Sequence, residues 1–199
     1  TDQAAGFLMN QPAAGQRPPG SAAGVVFDGV FDNLPEGGTA LPNAYFDFLH
    51  QAPGATICMA ITRVGIRGGE AWFRTANTGV LATGLNLSSI GDTLRLLVNN
   101  GSGTSHVNRS APAGYAPAGR RNICCGWQEA PGEVTWRSNA LASVGAPVMS
   151  GLPSPGIAQR SFQIGDSSND FWGTMYEAIA CNRYLTVAEF DDWQAYAAA

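Results

Sequence analysis

The stretch that decides the fold is Ser161 to Ala199, SFQIGDSSNDFWGTMYEAIACNRYLTVAEFDDWQAYAAA. Ser161 to Gly165 reads as a short apolar strand closed by a glycine. Asp166 to Asp170 is a polar turn, built of residues that bond their own backbone or accept left-handed conformations. Phe171 to Tyr184 mixes aromatic, apolar and polar side chains in near alternation, the pattern of a long strand. Thr186 and Glu189 then form a T-x-x-E capping box, which opens a short helix. In that helix Phe190 and Trp193 are three apart and Ala197 is four further on, so one face can lie on a sheet.

The composition agrees with a β-rich reading. A chain of 199 residues suits one domain, and its 45% hydrophobic content suffices for a core. Only 13% of residues are charged, whereas 25 glycines and 12 prolines make the chain dense in turns. Such a chain favours many short strands over helices. A net charge of −4 argues against nucleic acid as a partner, because phosphate binding needs a concentrated positive field. All 11 basic residues are arginine, as codon bias in a GC-rich genome would produce, so any basic patch would be fork-donating. Neither a basic-plus-apolar leader nor a run of eighteen apolar residues is visible, so no membrane span is expected. Thr1 fits removal of an initiator methionine, which implies folding in the cytoplasm, or the start of a processed chain.

Residues 1–24 differ from the rest, being rich in Ala, Gly, Pro and Gln, and are expected as an extension ahead of a domain at 25–199. Gly6 to Asn10 can add a strand, with the remainder a surface loop or an arm that orders on a partner subunit. Strands are expected at Val25 to Phe31, Ala44 to Leu49, Thr56 to Val64, Glu70 to Thr75, Gly79 to Ala82 and Thr93 to Val98. Asn99-Asn100-Gly101 supplies a hairpin-type turn. Ser102 to Gly119 reads as a long polar loop with at most a weak strand, and Asn139 to Gly156 as a breaker-rich excursion. Arg121 to Gln128 and Glu133 to Ser138 pair across Ala130-Pro131-Gly132. The sum is about ten to twelve strands at sandwich spacing.

The run F-W-G-T-M-Y-E-A-I-A-C-N-R-Y-L-T-V-A-E-F resembles the closing segment of laminin G-like domains in the concanavalin A-like lectin and glucanase superfamily. Phe171, Gly173, Met175, Glu177, Asn182, Arg183, Leu185 and Thr186 carry the resemblance, with Phe162 to Gly165 like the strand before it. Val26-Phe27-Asp28-Gly29-Val30-Phe31-Asp32 resembles the family's opening F-D-G-x-x-D strand and turn. The resemblance implies an all-β, two-sheet antiparallel jelly-roll sandwich with one short C-terminal helix. It also makes the strands of Cys58 and Cys181 neighbours. Cys58, Cys124, Cys125 and Cys181 show no metal-binding spacing and are expected as reduced, buried thiols.

Glucanases of this superfamily carry an E-x-D-x-x-E strand, since period-two spacing puts two carboxylates on one face and a retaining mechanism needs them about 5–5.5 Å apart. No such run occurs here. Glu129 and Glu133 straddle a turn, Asp28 and Asp32 belong to the opening turn, and Glu177 stands alone in its strand. His50 and His106 have no nucleophile spacing beside them, and His106 is expected to be solvent-exposed in its polar loop. No catalytic residue is therefore assigned. Asp166, Ser167, Asn169 and Asp170 form the one dense oxygen cluster, readable as a plain turn or as a Ca²⁺ site.

Glycan binding uses aromatic faces against sugar rings, flanked by hydrogen-bonding side chains. Trp72 with Arg74, Trp127, Trp136, and Trp172 beside Asp170 fit that description, with His106, Asn108, Arg109 and Tyr115 as a loop rim. The alternative for each tryptophan is core packing; Trp127 and Trp172, near turns, stand evenly between the two, and Trp193 on the helix is read as core. Trp72 and Arg74 are expected on one strand face by period two. The sequence thus points to a non-enzymatic carbohydrate-recognition module, with a glycan ligand and neighbouring assembly subunits as partners and a homo-oligomer open. A phage head or tail protein on the virion surface is the expected setting, against an extracellular or cell-surface one. A ligand-free decoration protein is the alternative, and a glycoside hydrolase the third.

Overall fold

A computed structural model describes residues 8–9, 20–21, 24–28, 34–37, 43–51, 53–75, 83–100, 105–139, 141–145, 163–165 and 171–198. They form fourteen strands: β1 (Leu8–Met9), β2 (Gly20–Ser21), β3 (Gly24–Asp28), β4 (Leu34–Gly37), β5 (Gly54–Arg63), β6 (Glu70–Arg74), β7 (Thr83–Ile90), β8 (Thr93–Asn100), β9 (Ser105–Ser110), β10 (Gly119–Gln128), β11 (Glu133–Ser138), β12 (Leu141–Gly145), β13 (Gln163–Ile164) and β14 (Trp172–Cys181). A 3-10 helix occupies Asn43–Leu49, and helix α1 spans Val187–Ala198. The front sheet runs β1-β4-β13-β6-β7-β8-β9 and the back sheet β12-β11-β10-β5-β14-β3-β2, with antiparallel pairing throughout. The chain is a two-sheet jelly-roll sandwich with a C-terminal helix, as its closing segment implies.

Strand periodicity explains where the core lies. Ile57, Met59 and Ile61 of β5 point between the sheets, meeting Leu85, Leu87, Leu96 and Val98 of β7 and β8. Cys58 and Ala60 point the other way, under Phe190 and Trp193 of α1. Because the sheet interior lies on one side and the helix on the other, β5 is apolar on both faces, and this gives the unbroken run A-T-I-C-M-A-I. The chain enters α1 over Thr56, whose hydroxyl donates to Arg183 O and accepts from Leu185 N, each at 3.0 Å.

The capping box closes as the spacing predicts. Thr186 N donates to Glu189 Oε2 at 2.8 Å, and Glu189 N donates to Thr186 Oγ1 at 3.3 Å. Arg183 Nη1 donates to Glu189 Oε2 at 2.9 Å, and Nη2 completes the fork on Oε1. Arg183 first, then the Thr186 backbone and hydroxyl, hold the Glu189 carboxyl at about 2 against an ordinary 4.5. A carboxyl lowered in the folded state adds stability above its unfolded pKa and loses it as the pH falls through the folded one. The expected result is a fall in thermal midpoint between pH 4.5 and 2 that is shallower in a Glu189→Gln variant, checked by melting both proteins across that window. Parallel curves for the two proteins would contradict it.

The structure departs from the expected elements at several points. Ala44 to Leu49 lies in the 3-10 helix rather than a strand, and Leu49 O accepts from Trp127 Nε1 at 3.0 Å. Within the expected 102–119 loop, 105–110 is the edge strand β9, whose register on β8 shifts between Val98 and Asn99. That bulge places His106 beside Val107 in the interior, so His106 is buried instead of exposed. The 139–156 excursion contains β12, paired with β11. Strand β7 is missed by the sequence reading, while Gly79 to Ala82 lies outside the described residues.

Candidate functional site: a polar ladder on the front sheet

Two bulges and a register set the site. On β6 the pairing with β7 shifts between Ala71 and Phe73. Trp72 and Phe73 therefore both enter the core, and Arg74 turns to the outer face. The expectation that Trp72 and Arg74 share a face is overturned by that extra residue. Arg74 is directly opposite Gln163 on one side and Asn86 on the other; Asn86 is opposite Leu97, and Leu97 is opposite Asn108. Gln163, Arg74, Asn86, Leu97 and Asn108 thus make one row across β13, β6, β7, β8 and β9. At about 4.8 Å per strand it is roughly 19 Å long. A second row, Ala71, Ser88, Arg95 and Ser110, runs beside it.

The row grades from buried to open. Arg74 is 2% exposed and Asn86 5%, whereas Leu97 is half-buried and Asn108 and Ser110 are exposed. Arg74 Nε donates to Gln163 Oε1 at 3.2 Å. Arg95 reaches diagonally to Asn108 Oδ1, with Nε at 3.4 Å and Nη2 at 3.3 Å. Asn86 Oδ1 is buried with no hydrogen-bond donor on it. Such an acceptor costs about 1–3 kcal/mol until a donor arrives. Two guanidinium groups, three side-chain amides and two hydroxyls share this face, and no carboxylate appears among its described side chains. The array can hydrogen-bond hydroxyls and attract an anion, and its described side chains include no pair of carboxyl groups.

The other residues singled out in the sequence lie elsewhere. Trp72, Trp127 and Trp136 are at most 1% exposed, so none offers a ring face to a sugar. Trp72 Nε1 donates to Glu70 Oε2 at 3.3 Å, and its ring meets Phe171 edge-on at 5.6 Å. His106 meets Trp127 edge-on at 5.4 Å, and Tyr115 is buried, its carbonyl accepting from Ser138 Oγ at 2.7 Å. Arg109 is exposed at the open edge, where a Cβ on Gly145 of β12 would sit 3.0 Å from its Nη2. Trp172 is partly exposed on the back sheet, with the Arg67 guanidinium 4.5 Å from its ring centroid and Gly65 against the ring. Asp166, Ser167, Asn169 and Asp170 lie outside the described residues. Among the described residues no group of three or more His, Cys, Asp or Glu is placed to hold a metal. None of their helices is long and apolar enough to cross a membrane.

Of the row and its neighbour, the sequence singled out Arg74 and Asn108, and not Asn86, Arg95 or Gln163. The signal was present in T-G-L-N-L-S-S-I, where Leu85 and Leu87 alternate with Asn86 and Ser88.

No family model matches the chain, and no curated protein matches it in sequence. Solved structures do match. The IT-sialidase CBM40 of Ruminococcus gnavus, solved also bound to α2,3-sialyllactose, superposes at TM-score 0.57 with 10% identity, over 75% of this chain and 85% of that one. The likeness is one of fold. The binding domain of botulinum neurotoxin DC, in complex with SialylT, matches at TM-score 0.56 with 9% identity, over 83% of this chain and 39% of that one. A Trypanosoma rangeli sialidase matches at TM-score 0.57 with 17% identity, over 87% of this chain but only 27% of that one. These likenesses are to β-sandwich domains and concern the fold alone.

Proposed function

We propose that this chain is a non-catalytic glycan-recognition domain of laminin G-like type, and that it binds an acidic oligosaccharide along the polar ladder of the front sheet. The carrying observation is the row from Gln163 to Asn108, with Arg95 and Arg74 on a face free of described carboxylates. Hydroxyl-rich ligands need many amide partners, and a sugar carboxylate suits a guanidinium fork. The Ruminococcus gnavus domain of the same fold is bound to α2,3- and to α2,6-sialyllactose, which makes a sialylated probe the natural first choice. Arg95 and Asn108 are the residues that meet the ligand, because they form the open end; Arg74 and Asn86 set the charge and shape behind them.

A glycan array on the purified protein tests this reading. Arg95→Ala removes a charge-assisted hydrogen bond of about 1.5–3 kcal/mol, which is a roughly 10–150-fold weaker Kd. Trp172→Ala, on the opposite sheet, is expected to bind as the parent does. Silence across acidic glycans, or binding lost in Trp172→Ala and kept in Arg95→Ala, would overturn the proposal. Display on a virion surface, with residues 1–24 contacting a neighbouring subunit, is the part of the proposal that rests on sequence alone. It predicts copurification with a particle and loss of that association on deleting residues 1–24; a truncated protein that still assembles refutes it.

A further inference from the structure

The back sheet carries a second chemical feature, unrelated to the ladder. Cys58 of β5 and Cys124 of β10 are directly opposite one another in an uninterrupted antiparallel register. The hydrogen-bond phase of that pair of strands fixes the kind of site. Glu129 N donates to Pro53 O at 3.0 Å, one step beyond the pair Gln128 and Gly54. Hydrogen-bonded and non-hydrogen-bonded pairs alternate along such a ladder. Five steps separate Cys124 from Glu129, so Cys58 and Cys124 occupy a non-hydrogen-bonded pair. Opposed Cα atoms there are about 4.5 Å apart and their side chains lean together. A disulfide spans about 4.4–6.8 Å between Cα atoms, so this pair can close without moving the backbone.

The surroundings support the pairing. Both thiols are fully buried beneath α1, against Phe190 and Trp193, and Gln194 Nε2 lies 3.7 Å from Cys124 Sγ. The hydrogen bond between the two thiols, together with burial, pushes the Cys58 pKa up. Cys125 points into the core on the other face, opposite Ile57, and cannot reach Cys58 across the sheet. Cys181 is opposite Thr56 on β14, and Cys58's own partner on that strand is Ile179. All four cysteines are free thiols in this structure.

We propose that Cys58 and Cys124 are an oxidisable dithiol site, closed to a cross-strand disulfide by hydrogen peroxide. Once α1 opens and water reaches the pair, the burial that keeps the thiols protonated is relieved. One thiolate then attacks the peroxide O–O bond, giving a sulfenic acid and releasing hydroxide, which takes up the proton the thiol gave up and leaves as water. The second thiol attacks the sulfenic sulfur; the S–S bond forms, the S–OH bond breaks and a second water leaves. Two thiols lose two electrons and one peroxide becomes two waters. Because the pair lies under the helix, its rate is governed by opening of α1, and the bridge ties β5 to β10 at the centre of the back sheet.

The test treats the native full chain with hydrogen peroxide, quenches, denatures, alkylates without reduction, and maps peptides by mass spectrometry. The expected result is loss of two alkylatable thiols per chain, a link from Cys58 to Cys124 placed by fragmentation between Cys124 and Cys125, and full reversal by dithiothreitol. The bridged protein also unfolds at higher denaturant than the reduced one. Four free thiols after treatment, a link made through Cys125 or Cys181, or sulfinic acid without a bridge would each overturn the assignment. Cys125→Ala keeps the link and Cys124→Ser abolishes it, while the parent chain gives the decisive map even if a variant folds poorly.

Discussion

Glu70→Gln is expected to lower stability by about 3–5 kcal/mol, the usual cost of breaking a buried ion pair from one side. At about 2–4 °C per kcal/mol for a domain of this size, the melting point drops by roughly 6–20 °C. The reason lies in Arg63, whose side chain and that of Glu70 have no solvent exposure. Arg63 Nε and Nη2 each stand 2.6 Å from Glu70 Oε2, Nη2 donates to Ser89 Oγ at 3.1 Å, and Nη1 donates to Gly91 O at 2.8 Å and to Ala116 O. One guanidinium thus ties the end of β5 to β6, the β7–β8 turn and the segment after β9. Glutamine keeps the shape and removes the charge, which leaves a cation in low dielectric. Replacing both partners with apolar residues recovers only part of the loss, because the Gly91 and Ala116 carbonyls then lack a donor. Chemical denaturation of the two variants checks this; a Glu70→Gln protein within about 1 kcal/mol of the parent would contradict it.

Phe190→Ala is expected to cost about 3–5 kcal/mol and to loosen α1 from the back sheet. Phe190 is fully buried, with its ring edge-on to Tyr184 at 6.0 Å. It is one of the two buried residues of α1; Trp193 is the second. A twelve-residue helix has little stability of its own in water, so its order depends on this docking. Removing the ring uncovers Cys58 and Cys124, and thiol labelling in the folded protein reads that directly. The variant should label at these two cysteines much faster than the parent while Cys125, inside the sandwich, stays protected. Equal protection of all three in parent and variant would show that Phe190 does not hold the helix down.

How far the sequence carries can be judged from single residues. Thr186 and Glu189 specify their own cap, because both partners lie within one turn and need nothing from the rest of the chain. The Glu133 to Ser138 hairpin is similarly local, its partner strand lying just across a short turn. Trp127 shows the limit. Its position near a turn left an exposed ring and a core ring equally open, and only the packing of His106 and the Leu49 carbonyl decided for the core. The ladder shows it more fully. Gln163 and Asn108 belong to one row because four strand registers align, and no spacing along the chain encodes that alignment.

By itself, then, the sequence determined the class of fold, the closing strand and the capped helix, since periodicity and capping act between near neighbours. The tertiary structure decided which face each residue took on β6 and β9, where one extra residue reverses the alternation. It also decided which polar side chains meet across strands and which cysteines oppose each other, because those pairings depend on distant segments coming together in register.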